Sequence, residues 1–280
     1  MKHHARSTSV ARLAFSPCPN DTFVFHAWAH GLIDGAPPVD VTFADIDITN
    51  TAAERGEFDV VKVSFAALPW LMDKYTLLPC GGAVGRGCGP LVLTRDALPD
   101  LNGRTVAVPS ERSTAYLLFR LWAAGQRPAR VDVVPFAQIM PAVRDGHYDA
   151  GLVIHEARFT YPAFGLQALV DLGEWWEKDT GLPIPLGAIL AAHNLDAALL
   201  SDVVRASVDY AWAHPDASRS YVAAHADEMS PDVQQQHIDL YVNEFTRDLG
   251  TEGFAAAEAL LARAHRAGLV PTNPTLRIAG

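Results

Sequence analysis

A histidine at the end of an apolar segment is the residue of this sequence best suited to acid–base chemistry. His155 follows Gly151–Ile154, an apolar run that predicts a buried strand. An ordinary imidazole has a pKa of about 6.5, so it can accept a proton at neutral pH. Glu156 could orient the ring, and Arg158 adds a cation nearby. The alternative is that His155 is a packed or surface residue without a chemical role.

Small polar residues follow other predicted strands, where they could bind an anion. Ser16–Thr22 and Ser110–Thr114 each lie between a predicted strand and a predicted helix, and Ser64 ends a third strand. In open α/β sheets, ligands bind beyond the carboxyl ends of the strands, and groups at helix N-termini supply donors to anions. The pattern predicts a pocket for a small anionic molecule. Helix capping alone is the alternative for both loops.

Lys62 stands out because it lies within the apolar strand Val60–Val63. An unpaired charge buried in such a strand is costly. Either the side chain reaches outward to solvent, or its ammonium group meets a carboxylate in the cleft. We favour the carboxylate.

Other familiar site motifs are missing from the sequence. The glycine-rich segment Gly81–Gly89 lacks the GxGxxG spacing with a following acidic residue, and it lacks the lysine of a phosphate-binding loop. We therefore expect it to be a flexible rim loop or hinge. No pair of histidines has a persuasive metal-binding spacing, and no GxSxG nucleophile elbow is present. No metal site is predicted.

The elements that must position these residues occur twice, about 90 residues apart. Strand and helix patterns alternate as in βαβ units. The phrase Gly56–Asp59 is echoed by Gly146–Asp149, and in both a predicted helix ends at glycine before an aromatic–Asp pair opens a buried strand. The sequence therefore predicts an α/β fold of two similar lobes with a central ligand cleft.

The chain is predicted to cross between these lobes twice, at the strand-like segments Leu91–Arg95 and Pro185–Leu190. This divides it into a larger discontinuous lobe, 11–93 and 191–280, and a smaller lobe, 94–190. The C-terminal part has mostly helical patterns and is predicted to pack on the larger lobe.

Composition limits the classes of partner. The 280 residues are 49% hydrophobic and carry a formal charge of −10, which argues against a nucleic-acid partner. No apolar run approaches the roughly 18 residues of a membrane span. The N-terminal residues lack the apolar core of a secretory signal. The three cysteines form neither a CxxC pair nor a disulfide framework, so we expect a cytoplasmic protein without a membrane partner.

Several long phrases of the sequence are specific enough to compare with known families. They are Ser16–Phe23 with His30–Gly31, Gly81–Gly87 with Gly89–Pro90, Thr105–Pro109, Thr114–Tyr116, Gly151–Tyr161, Asp171–Trp176 and Thr180–Gly187. Together they resemble the 1,4-dihydroxy-6-naphthoate synthases of menaquinone biosynthesis, and the resemblance covers most of the chain from about Leu13 to the helical C-terminal part.

The resemblance implies a two-lobed type II periplasmic-binding-protein-like fold and a carbon–carbon lyase without a cofactor. The implied substrate is cyclic dehypoxanthinyl futalosine, which is opened and aromatised to the naphthoate. His155 matches the family's proposed proton acceptor. The positions that match its substrate-contacting segments are Lys62, Val63, Ser64, Thr114 and Ala115. Departures at His147 and Ala157 are minor.

Two rival functions share this fold. A solute-binding protein would bind the anion without needing a base at His155. Chorismate dehydratase is the related enzyme of the same pathway, but the phrases Ser16–Phe23 and His155–Tyr161 favour the naphthoate synthase. The sequence predicts no oligomeric state.

Overall fold

The computed structural model describes residues 10–226 and 230–276, which form two five-stranded sheets with helices packed around them. The strands are β1 (Ala11–Phe15), β2 (Val39–Phe43), β3 (Val60–Ser64), β4 (Tyr75–Gly85), β5 (Leu91–Thr94), β6 (Thr105–Val108), β7 (Arg130–Val133), β8 (Ala150–Val153), β9 (Gln167–Asp171) and β10 (Ile184–Ala192). The α-helices are α1 (Pro19–Ala29), α2 (Ile46–Glu54), α3 (Thr114–Trp122), α4 (Phe136–Arg144), α5 (Ala157–Thr160), α6 (Leu172–Thr180), α7 (Ala197–Ala213), α8 (Arg219–His225), α9 (Pro231–Tyr241), α10 (Glu244–Arg247) and α11 (Gly250–Arg266). Short 3₁₀ helices cover Phe65–Trp70, Tyr161–Phe164 and Pro215–Ser218.

The two sheets have the same strand arrangement, as the repeated sequence pattern predicted. The first sheet has the order β2-β1-β3-β10-β4, and the second has the order β7-β6-β8-β5-β9. In each sheet the first three strands are parallel and the last two pair antiparallel. The predicted α/β fold with two similar sheets is confirmed.

The repeated aromatic–Asp phrase has the same structural role in both sheets. Asp59 accepts the backbone N–H of Arg12 at the start of β1, with an N···O distance of 2.8 Å. Asp149 accepts the backbone N–H of Thr105 at the start of β6, also at 2.8 Å. Each aspartate thus ties the strand that it precedes, β3 or β8, to the start of its parallel neighbour, β1 or β6, which explains why the phrase occurs twice.

The chain crosses between the sheets just before β5 and just before β10. Strand β5 pairs only with β8 and β9 of the second sheet, while β10 pairs with β3 and β4 of the first. The predicted limits of the lobes, 11–93 with 191–280 and 94–190, fall inside β5 and β10. The exact division into lobes stays a prediction.

The expectation of a loop at Gly81–Gly89 is wrong for its first half. Residues up to Gly85 belong to the long strand β4, which is buried along nearly its whole length. A Cβ on Gly82 would lie 2.6 Å from the carbonyl oxygen of Gly187 on β10, and one on Gly81 would lie 2.7 Å from a methyl group of Val204. The glycines therefore permit close packing against β10 and α7.

Helices from the C-terminal part cover the first sheet. Helix α7 packs against α1 and β4, and α11 contacts β10. Leu200, Val204 and Val208 of α7 are buried in a cluster with residues of β1 and α1. Among the described residues, no helix is both long and apolar enough to cross a lipid bilayer.

Candidate active site

A cavity lies between the two sheets, where loops at the carboxyl ends of four parallel strands meet. Its empty volume is about 620 Å³ when the part open to solvent is included. Strands β1 and β3 of the first sheet and β6 and β8 of the second sheet all end at it. The residues that line it are Ser16, Asn20, Asp21, Ile46, Lys62, Ser64, Ala83, Cys88, Pro90, Ser113, Thr114, Ala115, Ile154, His155, Leu186, Gly187, His237 and Tyr241.

The first turn of α1 is buried and contributes a polar network. Pro19 occupies the first turn, where its missing N–H costs nothing. The Asp21 carboxylate accepts hydrogen bonds from the Ser16 hydroxyl at 2.9 Å and from the Asn20 amide at 2.8 Å. Thr22 instead donates to the carbonyl oxygen of Cys18 within its own turn. The N-cap position of α1 is Cys18, and no side chain caps the helix, so capping does not explain Asn20, Asp21 or Thr22.

Lys62 forms a buried ion pair with Asp21, so the carboxylate alternative is confirmed. Both side chains are almost inaccessible to solvent, with 6% and 2% exposed. A buried charge requires such a partner because its desolvation penalty is several kcal/mol. The pair joins β3 to the start of α1 and places two opposite charges at the cavity wall.

Ser64 lines the cavity at the end of β3 and is held by Asn50 of α2. The Ser64 N–H donates to the Asn50 side-chain oxygen at 2.8 Å, and the Asn50 amide donates to the Ser64 hydroxyl at 3.2 Å. Val63 does not line the cavity; its side chain is fully buried in the core. A strand alternates its faces, so Lys62 and Ser64 reach the cavity while Val63 points away. Asn50 was not singled out from the sequence.

Thr114 and Ala115 line the cavity at the start of α3. The Thr114 hydroxyl donates to the carbonyl oxygen of Leu186 on β10 at 2.8 Å and accepts the Ala66 N–H at 3.2 Å. Ser113 caps α3 by accepting the Tyr116 N–H. The hydroxyl of Thr114 is therefore not a cap, and it bridges the second-sheet helix α3 to elements of the first sheet.

His155 lies immediately beyond β8, as predicted, with an unusual backbone conformation. Its φ is 54°, and no other non-glycine residue in the described ranges has a positive φ. Such a conformation costs about 1–3 kcal/mol and is often found at functional sites. Nδ1 of its ring lies 3.5 Å from the sulfur of Cys18. The expectation that Glu156 orients the ring is not met, because this contact comes from the other sheet's loop.

The surroundings of His155 change its acidity. Burial disfavours the imidazolium, but Cys18, Glu156 and Asp21 favour it and prevail, raising the pKa of His155 to about 9. The ordinary value assumed from the sequence therefore does not apply. Phe136 packs edge-on against the ring with centroids 5.9 Å apart.

Arg158, predicted to add a cation near His155, is engaged elsewhere. Its guanidinium donates to the Gly89 carbonyl at 2.7 Å and to the Asp171 carboxylate at 2.5 Å. Burial opposes its charge, but the Asp171 carboxylate prevails and raises the pKa of Arg158. Gly89 precedes β5 and Asp171 ends β9. Arg158 therefore stabilises the segment that crosses between the sheets before β5, and it does not contribute to the cavity wall.

His237, Tyr241 and Cys88 also line the cavity, and the sequence offers no reason to assign them a role. His237 and Tyr241 come from α9, and their rings pack with centroids 4.6 Å apart. Cys88 is buried, which raises the pKa of its thiol to about 12 and keeps it neutral. The sequence around His237 carries no motif that points to a role in the site. Within the described residues, no group of three or more His, Cys, Asp or Glu side chains is placed to hold a metal ion.

Comparisons with known proteins all indicate the same family. The family model for menaquinone biosynthesis matches residues 11–266. A 1,4-dihydroxy-6-naphthoate synthase from Streptomyces coelicolor is 66% identical over 271 residues, covering 95% of this chain and 96% of the relative. The enzyme of the same name from Thermus thermophilus is 47% identical over 266 residues, covering 94% and 97%.

A solved structure supports the fold independently. A Candida albicans protein described as having the generic periplasmic-binding-protein fold superposes with a TM-score of 0.71 at 12% identity, covering 96% of each chain. The predicted periplasmic-binding-protein-like architecture is therefore confirmed. The chain belongs to the menaquinone biosynthesis family and, within it, to the 1,4-dihydroxy-6-naphthoate synthases.

Proposed function

We propose that this naphthoate synthase is a carbon–carbon lyase that acts on cyclic dehypoxanthinyl futalosine with His155 as the general base. The observation that carries the proposal is the placement of His155. Its imidazole lines the cavity from a left-handed backbone position and contacts Cys18 of the opposite loop. An imidazole fixed in this way can take a proton from a bound molecule.

The charges around the cavity suit an anionic substrate. Lys62 and Asp21 form an ion pair and cancel each other. The raised pKa of His155 keeps its ring positively charged at neutral pH. Burial, with the nearby His155 and Lys62, lowers the pKa of His237 and keeps it neutral. Before the substrate binds, the His155 imidazolium attracts a carboxylate such as that of the naphthoate precursor, and it must lose its proton before it acts as the base.

The proposed reaction needs no oxidant or reductant. The neutral form of His155 takes a proton from the substrate, and the electron pair left behind flows into the ring that becomes aromatic. The carbon–carbon bond to the sugar-derived fragment breaks, and that fragment takes up a proton from the imidazolium. Protons and electrons balance, and the base returns to its starting form. A positioned base typically contributes about 10²–10⁴-fold to such a step.

The enclosed setting assists this chemistry. Contacts such as Thr114 to Leu186 and Cys18 to His155 join loops of the two sheets around the cavity. A site closed from water strengthens electrostatic interactions and protects a reactive intermediate. The proposal accordingly assigns Lys62, Ser64, Thr114 and Ala115 to substrate binding. Val63 is proposed only as part of the strand that positions its neighbours.

The test is incubation of chelator-treated protein with cyclic dehypoxanthinyl futalosine, followed by mass spectrometry of the products. Formation of 1,4-dihydroxy-6-naphthoate with one equivalent of a sugar-derived fragment, without added cofactor, is expected. A protein that is thermally stabilised by the compound but does not convert it would instead be a solute-binding protein or lack a component. Stabilisation by chorismate alone would favour the dehydratase.

A further inference from the structure

His237 is a second histidine of the cavity, and its chemistry is not used by the reaction proposed above. It lies on α9, where only 1% of the residue is exposed. Its ring is nearly parallel to that of His155, with an interplanar angle of 17° and centroids 6.1 Å apart. A molecule that contacts one of these rings is therefore within reach of the other.

The hydrogen bonds around His237 fix which of its nitrogens carries the proton. The Asn20 amide nitrogen donates to the Asp21 carboxylate, so the Asn20 oxygen faces away from that pair. This oxygen lies 3.1 Å from Nε2 of His237. Because an amide oxygen only accepts hydrogen bonds, Nε2 must carry the hydrogen and Nδ1 must hold a free electron pair.

Nδ1 of His237 has no hydrogen-bond partner among the described residues, although it is buried. A buried polar atom without a partner costs about 1–3 kcal/mol, so such an atom calls for an explanation. Phe159 and Tyr241 supply only ring contacts to this side chain. Burial, together with the charges of His155 and Lys62, lowers the pKa of His237 well below its ordinary value, so Nδ1 stays an acceptor.

We propose that Nδ1 of His237 accepts a hydrogen bond from a hydroxyl group of the substrate and so orients it towards His155. A neutral acceptor selects a hydroxyl donor and disfavours a carboxylate. The hydroxyls of the sugar-derived part are donors of this class, so the inference rests on the proposed function. His237 then binds the sugar-derived fragment that leaves.

Two substitutions separate this role from a purely structural one. The side-chain oxygen of His237→Asn occupies the position of Nδ1 and keeps the acceptor, but it loses the donor to Asn20. The amide nitrogen of His237→Gln reaches the position of Nε2 and keeps that donor, but it loses the acceptor. The proposal predicts that His237→Gln lowers kcat/KM by about tenfold or more, and that His237→Asn, which keeps the acceptor, lowers it clearly less.

A larger loss of kcat/KM in His237→Asn than in His237→Gln would overturn the proposal, because it would mean that His237 serves only to hold Asn20. Near-normal kcat/KM in both variants would overturn it as well.

If either variant fails to fold, nitrogen NMR of histidine-labelled His155→Asn protein saturated with substrate shows whether Nδ1 accepts the hydrogen bond. The signal of an unprotonated Nδ1 is expected to move upfield when it accepts a hydrogen bond, and an unchanged spectrum would refute the inference. If the unmodified protein does not convert the compound at all, the proposed function fails first and this inference falls with it.

Discussion

The sulfur of Cys18 lies 3.5 Å from Nδ1 of His155, although 137 residues separate them in the sequence. Cys18 precedes α1 beside the first sheet, and His155 follows β8 of the second sheet. The contact therefore forms only when the loops of both sheets face each other across the cavity. It links the acidity of the proposed base to the closed arrangement of the protein.

This contact predicts the pH dependence of the reaction. The base must be neutral, so kcat/KM is expected to rise with pH as His155 loses its proton, and the raised pKa of about 9 places this rise on the alkaline side of neutrality. Cys18→Ala removes the sulfur, which raises the pKa of His155, but keeps the burial, which lowers that pKa. The rise of kcat/KM should therefore move to lower pH. Profiles of kcat/KM from pH 5 to about 10 would measure the shift.

Cys88→Ala is the matched control, because Cys88 is a cysteine of the cavity lining that has no contact with His155 among the described residues. Its profile should keep the position of the parent protein. A Cys18→Ala profile that coincides with the parent's would show that the sulfur does not influence the titrating group.

Replacement of His155 should abolish most of the activity without unfolding the protein. Asparagine is the suitable substitute, because it tolerates the left-handed conformation that His155 adopts with φ 54°. We expect His155→Asn to lower kcat by more than ~10²-fold, the contribution of a positioned base. Steady-state kinetics and thermal unfolding would be measured together. His147→Asn, at an exposed histidine, is the control and should keep the kcat of the parent protein. A kcat of His155→Asn within a few-fold of the parent's would show that His155 is not the general base.

Local sequence patterns were sufficient to predict the repeated fold. Gly56 and Gly146 both end a helix with a positive φ, and Asp59 and Asp149 both bind the start of a neighbouring parallel strand, β1 or β6. These roles depend on neighbouring residues and strands, so they leave a readable phrase in the sequence. The positions of Ser64, Thr114 and His155 followed because they lie at the end of recognisable strands or in the segments that follow them.

Contacts between distant segments could not be predicted in this way. His237 meets Asn20 across 217 residues, and neither has a motif that points to the other. The segment containing Gly81 and Gly82 has the composition of a loop, and only the approach of Gly187 and Val204 shows why a strand needs glycine there. In each case the deciding partner is supplied by the tertiary structure.

The buried ion pair between Lys62 and Asp21 predicts a strong effect on stability. In Lys62→Met the Asp21 carboxylate stays buried without its cation, and removing one partner of such a pair typically costs about 3–5 kcal/mol in free energy of unfolding. The double variant Asp21→Asn with Lys62→Met removes both charges and should recover part of that loss. Urea denaturation would measure each value.

Lys178→Met tests whether the loss is specific to the buried lysine. Lys178 is exposed on α6, so its replacement should change the free energy of unfolding by less than about 0.5 kcal/mol. If Lys62→Met were no more destabilising than this control, the ammonium and carboxylate groups would not be paired in solution.

Thr114 should influence ligand affinity through the bridge it makes between the sheets. Valine has the same shape but no hydroxyl, so Thr114→Val leaves the Leu186 carbonyl and the Ala66 N–H without their partner in the closed arrangement. An unpaired buried polar group costs about 1–3 kcal/mol, so substrate binding should weaken by about 5–150-fold. Calorimetry in the His155→Asn background would give Kd without turnover.

Thr114→Ser keeps the hydroxyl and should restore most of the affinity. Thr51→Val removes an exposed hydroxyl that bonds only to Asp47 within its own helix, so it should leave Kd unchanged. Equal affinities for Thr114→Val and Thr51→Val would mean that the bridge does not contribute to binding.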